Sequence, residues 1–158
     1  MRKVIANTTP LIALAGIGQL DLLRKLYTEI TIPRAVNHEI ISEPARTLVS
    51  AADWIRVENV LVPAGKSAFS SRLHSGEIEV IMLAQEKTAD LLIIDDNAAK
   101  KTAKYLGLTV TGTMGVLLKA KKEGFVPEVK PLLEALMKDG LYVSPSVQNY
   151  VLEQAGEE

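Results

Sequence analysis

The chain has 158 residues, 47% of them hydrophobic and 23% charged, with a net charge of −1. These are ordinary values for a folded protein that can bury one sizeable core. The absence of cysteine excludes disulfides and thiolate metal sites. No apolar run approaches the roughly 20 residues of a membrane-spanning helix, and "MRKVIANTTP" lacks the apolar stretch of a secretory signal, so a cytoplasmic protein with no membrane contact is expected.

"KVIA" at 3–6 reads as a short apolar strand. "TPLIALAGIG" follows as a helix, with Thr8 or Thr9 as its N-cap, Pro10 suited to its first helical position and Gly16 or Gly18 at its end. Residues 19–27, "QLDLLRKLY", carry leucines at helical spacing. "EITIP" at 29–33 is a strand closed by Pro33, and 34–42 a helix with Val36 and Ile40 at i, i+4. "WIRV" at 54–57 is a further short strand. Residues 75–87 form a helix with Ile78, Ile81, Met82 and Gln85 along one side. "DLLIIDD" at 90–96 is a continuous apolar run ending in acids, as in a strand buried on both faces.

"NAAKKTAKYLG" is a helix ending at Gly107, "LTV" a strand, and "TMGVLLKAKKEG" a helix ending at Gly124. "PEVKPLLEALMKDG" has a strong amphipathic pattern closed by Gly140. "LYV" at 141–143 reads as a strand, and the helix after it is capped by Ser144. No repeat or linker interrupts the series, so one continuous domain over 1–158 is expected. Strands alternating with helices predict an α/β sandwich on a mainly parallel sheet.

In such sheets, sites form beyond the carboxyl ends of the strands. Asn7 follows the first strand, and Asp95 and Asp96 follow "LLII". Glu39 and Glu77 lie on helices that can converge there. Clustered oxygen ligands suit hard cations such as Mg²⁺ or Mn²⁺, which activate water and neutralise charge on a phosphate under attack. Each residue also has a plainer reading: Asp96 as the cap of the next helix, Glu77 as a complement to a helix dipole, Glu39 as a solvated acid, Asp95 as half of an ion pair. His38 and His74 lack metal-ligand spacing, and "GIG" at 16–18 follows a helix rather than a strand, so it is no phosphate loop.

Residues 97–122 hold six lysines and no acid (Lys100, Lys101, Lys104, Lys119, Lys121 and Lys122), leaving 12 basic against 19 acidic residues elsewhere. By itself the segment reads as two solvated helix faces; beside an acidic strand end it is a candidate phosphate track.

Five segments in this order resemble the PIN-domain family, and within it the compact prokaryotic subgroup related to VapC-type toxin ribonucleases: "VIANTTPLIALAGIGQLDLL", "IPRAVNHEII", "LHSGEIEVIMLA", "LLIIDDNAAKKTAKYLGLTVTGTMGVLLKAKKEG" and "LYVSPSVQNYVLEQAGE". The resemblance implies a three-layer α/β/α sandwich, an acidic pocket for Mg²⁺ or Mn²⁺, and cleavage of single-stranded RNA. It places the metal set at Asn7, Glu39, Glu77 and the Asp95–Asp96 pair, with Glu39, Glu77 and Asp96 as catalytic acids. Thr8 or Thr9 matches the hydroxyl that supports the first acid, and Thr113 matches a further polar position. It also implies a homodimer and an antitoxin partner.

Asn7 departs from the pattern, which has aspartate there. An amide oxygen can ligate a cation but brings no charge. Two functions follow: a metal-dependent endoribonuclease, with Lys100, Lys101 and Lys104 guiding RNA, or a catalytically weak or inactive nucleic-acid-binding module. A phosphorelay-type receiver is a third class, opposed by the absence of an acid after the first strand.

Overall fold

The computed structural model describes residues 2–61 and 75–158. Five strands, β1 (Val4–Ala6), β2 (Ile30–Pro33), β3 (Ile55–Glu58), β4 (Leu91–Ile93) and β5 (Val110–Thr111), form an all-parallel sheet in the order β3-β2-β1-β4-β5. The apolar content of each strand explains its place. Every residue of β1, β2 and β4 is buried, whereas β3 and β5 are partly exposed and form the edges. β1 and β4 are in register with Val4 opposite Leu91 and Ala6 opposite Ile93.

The helices are α1 (Thr8–Gly16), α2 (Asp21–Tyr27), α3 (Arg34–Glu39), α4 (Ala45–Ala51), α5 (Ser75–Lys87), α6 (Asn97–Tyr105), α7 (Thr113–Lys122), α8 (Lys130–Lys138) and α9 (Pro145–Ala155). Helices α5 and α6 share one face, where α5 packs on β1, β2 and β4. On the other face α1 and α2 pack with α7, and α8 and α9 lean on α1 and α7. This is the sandwich expected from the strand–helix alternation.

Several elements differ from the sequence reading. In α5 the residues Val80 to Ala84 are all buried while Gln85 is exposed, because the helix lies between the sheet and two other helices. Among the described residues Leu141–Val143 pairs with no strand; Val143 anchors the segment in the core instead. Helix α3 stops at Glu39, three residues early. A short helix, α4, appears where none was expected; Ala45 and Val49 bury one face, and the Glu43 carboxylate accepts from both the N–H and hydroxyl of Thr47.

The tail is fastened through Glu157. Its carboxylate accepts from Lys121 Nζ (2.9 Å) and from the N–H groups of Val129 (2.7 Å) and Lys130 (2.8 Å), capping the start of α8.

Candidate active site

A parallel sheet brings all strand carboxyl ends to one edge. In the order β3-β2-β1-β4-β5 the chain leaves β1 toward one side and later returns to its other side at β4. The crevice between the ends of β1 and β4 is therefore the topological switch point, where ligands of open α/β sheets bind. Asn7 directly follows β1, and Asp95 stands two residues past the end of β4.

Asn7 occupies the N-cap position of α1 in extended backbone and is only 4% exposed; its N–H bonds the carbonyl of Ile93 at 2.9 Å. Its side chain makes no cap hydrogen bond. The cap position expected for Thr8 or Thr9 thus belongs to Asn7. Both threonines fall within α1, since the helix opens at Thr8, two residues earlier than the Pro10 signal indicated. Thr8 donates its hydroxyl to Glu39 Oε1 at 2.6 Å, tying the end of α3 to the start of α1. Thr9 is exposed and turns to another part of the surface.

Glu39 reaches across to α5. Its carboxylate lies against the backbone of Gly76, where a Cβ would stand 2.9 Å from both Cδ and Oε2 and in hard collision with Oε1. Only glycine permits that approach. Glu77, the next residue, is 8% exposed in the first turn of α5. Glu79, two residues further, accepts from the N–H of Ala35 at 3.2 Å and holds the start of α3 against α5.

Asp95 is clamped by Thr113, a fully buried residue at the start of α7. The Thr113 N–H donates to Oδ1 at 2.7 Å and its hydroxyl to Oδ2 at 2.6 Å. Gly112 is needed here too: a Cβ on it would lie 2.5 Å from Asp95 Oδ1 and 3.0 Å from Lys100 Nζ. Asp96 is exposed, and its Oδ2 caps α6 by accepting from the N–H of Ala99 at 2.9 Å. That is the capping role its sequence position allowed.

A common device emerges. Glu39 rests at the N-terminus of α5, Asp95 at that of α7 and Asp96 at that of α6. Each helix presents its positive dipole end to a carboxylate, which lowers the cost of gathering negative charge.

The lysine segment divides. Lys119 stacks on the ring of Tyr27 (4.8 Å to its centroid) and pairs with Glu123, and Lys121 is spent on Glu157 and the carbonyl of Ala155. Lys100 lies beside Asp95, while Lys101 and Lys104 are exposed along α6. His38 is exposed; His74 lies outside the described residues.

The donors at the edge are all hard oxygens. Among the described residues no three of His, Asp and Glu are spaced as a ready metal cage. Mg²⁺ does not need one, since it commonly takes one or two protein carboxylates and completes its shell with water and substrate phosphate. The donor chemistry fits such a cation.

A family model described as a PIN domain matches residues 3–157. The chain belongs to the PIN-domain family. No curated protein matches it. Membership brings the general character of PIN domains: a nuclease fold that handles nucleic acid and depends on divalent metal. No helix among the described residues is long and apolar enough to cross a membrane.

Two site residues escaped the sequence reading. Gly76 and Gly112 contribute no chemistry of their own, yet each leaves the space a carboxylate fills. The signal available was a glycine beside a helix start in "SGE" and "TGT", a mark of close backbone approach.

Proposed function

We propose that this PIN protein, as a single domain over 1–158, is an endoribonuclease that hydrolyses phosphodiester bonds of single-stranded RNA with Mg²⁺ or Mn²⁺. The observation that supports the reading is the arrangement at the switch point: Asn7 follows β1 next to the Thr8–Glu39 bond, and Asp95, with Asp96 after it, follows β4 near Lys100. Glu39, Asp95 and the Asn7 amide oxygen would hold the cation, joined by Glu77 and Asp96. When bound, that ion supplies an activated water and neutralises charge on the attacked phosphate. Thr8 holds Glu39, and Thr113 holds Asp95. Lys100, Lys101 and Lys104 draw the phosphate backbone along α6.

Purified protein with Mn²⁺ should cut single-stranded RNA, and Asp96→Asn should abolish the cutting. Activity that survives both Asp96→Asn and Glu77→Gln sinks the assignment. The likeness to VapC-type nucleases extends the reading to a cytoplasmic toxin with an antitoxin partner and a homodimeric state. Growth arrest on expression, relieved by a co-expressed neighbour, and sedimentation at twice the monomer mass test those extensions.

A second reading is favoured by two observations: position 7 is an amide, and both Asp95 oxygens are already engaged by Thr113. In that reading the protein binds RNA in a salt-dependent way with little or no turnover. Cutting that appears only in Asn7→Asp decides for it.

A further inference from the structure

Lys100 stands apart from the other lysines. Among the described residues, Lys3, Lys100, Lys119 and Lys121 are the half-buried ones. Three of them reach an acid: Lys3 pairs with Glu58 at 2.7 Å, Lys119 with Glu123 at 3.8 Å and Lys121 with Glu157 at 2.9 Å. The Lys100 ammonium has no hydrogen-bond or ion-pair partner among the described residues. Its neighbours Lys101 and Lys104 are exposed and keep their hydration. A partly desolvated ammonium without an acceptor is unfavourable, so this position calls for an anion.

Gly112 defines the place. A Cβ on it would stand 3.0 Å from Lys100 Nζ and 2.5 Å from Asp95 Oδ1. Ammonium and carboxylate thus border one gap, yet lie too far apart to pair directly. Asp95 is not free to swing across, because Thr113 holds both of its oxygens. Lys100 can move, since its charge rides on a flexible four-carbon stem.

The consequence is electrostatic. Asn7 brings no charge to this edge, and the charge of Lys100 offsets that of Asp95. A divalent ion at Asp95 would face Lys100 across a few ångströms, where like charges repel. The free site is thus a poor host for a cation despite its oxygen donors. A phosphate changes both conditions. It accepts from Lys100 and draws the ammonium off Asp95, and its oxygens help to complete the shell of a Mg²⁺-like ion.

We propose that Lys100 is a built-in counter-ion that holds the divalent cation off Asp95 until an RNA phosphate takes it, so that metal and RNA enter the site together. The inference rests on the ribonuclease reading for the identity of the ligand. Lys101 and Lys104 follow the backbone, whereas Lys100 couples it to the metal. Linkage makes the coupling reciprocal: RNA tightens metal by the same factor as metal tightens RNA.

The test reads metal binding rather than cutting. Mn²⁺ affinity is measured by electron paramagnetic resonance on the free protein and with saturating fluorescein-labelled 2′-O-methyl hexauridylate. Anisotropy follows binding of the oligomer, and a gel checks that it stays intact. Without RNA, Lys100→Met should bind Mn²⁺ about tenfold more tightly than wild type, the effect of one unit charge several ångströms away. Lys100→Arg keeps the charge and should match wild type within about threefold. Lys25→Met removes an exposed lysine from the end of α2 that leads into the start of β2, the opposite edge of the sheet, and should leave the affinity unchanged. RNA should tighten Mn²⁺ about tenfold more on wild type than on Lys100→Met. The inference is overturned by a Lys100→Met affinity no higher than wild type, by a gain that Lys25→Met shares, or by equal tightening with RNA on both proteins. Failure of the oligomer to bind removes the RNA reading and the inference with it. With these expectations met and unmodified RNA left uncut in Mn²⁺, only the catalytic reading falls, and the coupled binding of metal and RNA stands.

Discussion

Gly76→Ala separates the site from the fold. The new methyl would collide with Glu39 Oε1 and lie 2.9 Å from Cδ. The obstacle is the far end of a flexible, exposed side chain, so Glu39 swings into solvent and the backbone stays. The loss is one charge-assisted hydrogen bond from Thr8, about 1.5–3 kcal/mol at most and less where water replaces it. Against that, alanine gains up to about 1 kcal/mol over glycine in a helix. Stability should therefore change by about 1 kcal/mol or less, a shift of roughly 2–4 °C in melting temperature for a chain of this size. Cutting of single-stranded RNA in Mn²⁺ should fall at least tenfold, because one cation ligand has left. Melting curves and cleavage rates on the same preparation give both numbers. Unchanged cleavage in a normally folded variant would refute the placement of Glu39 in the site.

Thr113→Val keeps shape but removes the hydroxyl bond to Asp95 Oδ2, leaving the N–H bond. Urea unfolding should show a loss of about 1–2 kcal/mol, with cleavage reduced in parallel. Lys101→Ala combined with Lys104→Ala should flatten the salt dependence of single-strand binding by about 1.4 in the log–log slope, roughly 0.7 per phosphate contact. Glu157 sets the acid limit of the tail. Burial pushes its carboxyl up, but the Lys121 ammonium and the N–H groups of Val129 and Lys130 outweigh that and hold it at about 2, against 4.5 for a free glutamate. A depressed pKa stabilises the fold above 4.5 and loses that stabilisation as pH falls toward 2. The full shift corresponds to about 3 kcal/mol, and partial solvation of the Lys121 pair reduces it to about 1–2 kcal/mol. Glu157→Gln should lower stability by that amount at pH 7, and the difference from wild type should vanish near pH 2.

The fold was legible because its signals are periodic. Continuous apolar runs marked the buried strands, and turn residues such as Gly107 and Gly124, both at positive φ, closed the helices where expected. What failed lacked such signals. Helix α4 is seven residues long, too short for a pattern to stand out from its polar flanks. "LYV" has strand composition, but a strand needs a partner, and its position is decided by where α8 delivers the chain. α5 has neighbours on several sides, so its buried residues form no single stripe, and one-sided periodicity misplaces Gln85, which faces solvent. At the site, residue types were legible and contacts were not. Adjacent aspartates 95 and 96 look alike in sequence. Only the approach of α7 shows that Thr113 clamps the first while the second caps α6.

Asn7→Asp tests the whole construction. As an N-cap, aspartate equals asparagine, so α1 should not notice the exchange. The electrostatics should. Position 7 is 4% exposed and sits beside the Thr8–Glu39 bond and the end of β4. A second carboxylate within roughly 6 Å costs about 3 kcal/mol at an effective dielectric of 20. The positive end of α1 returns about 0.3–1 kcal/mol. In EDTA the variant should therefore be about 2 kcal/mol less stable than wild type. A divalent cation reverses the sign, since it binds the folded state between the charges that repel. At a hundred times its dissociation constant it restores about 2.7 kcal/mol. Mn²⁺ should thus raise the melting temperature of Asn7→Asp well beyond its effect on wild type, and the faster cleavage should track that difference. Equal stability in EDTA and equal response to Mn²⁺ would mean that position 7 does not face a cation. The three carboxylates at the helix N-termini would then be structural caps that hold the edge of the sheet closed.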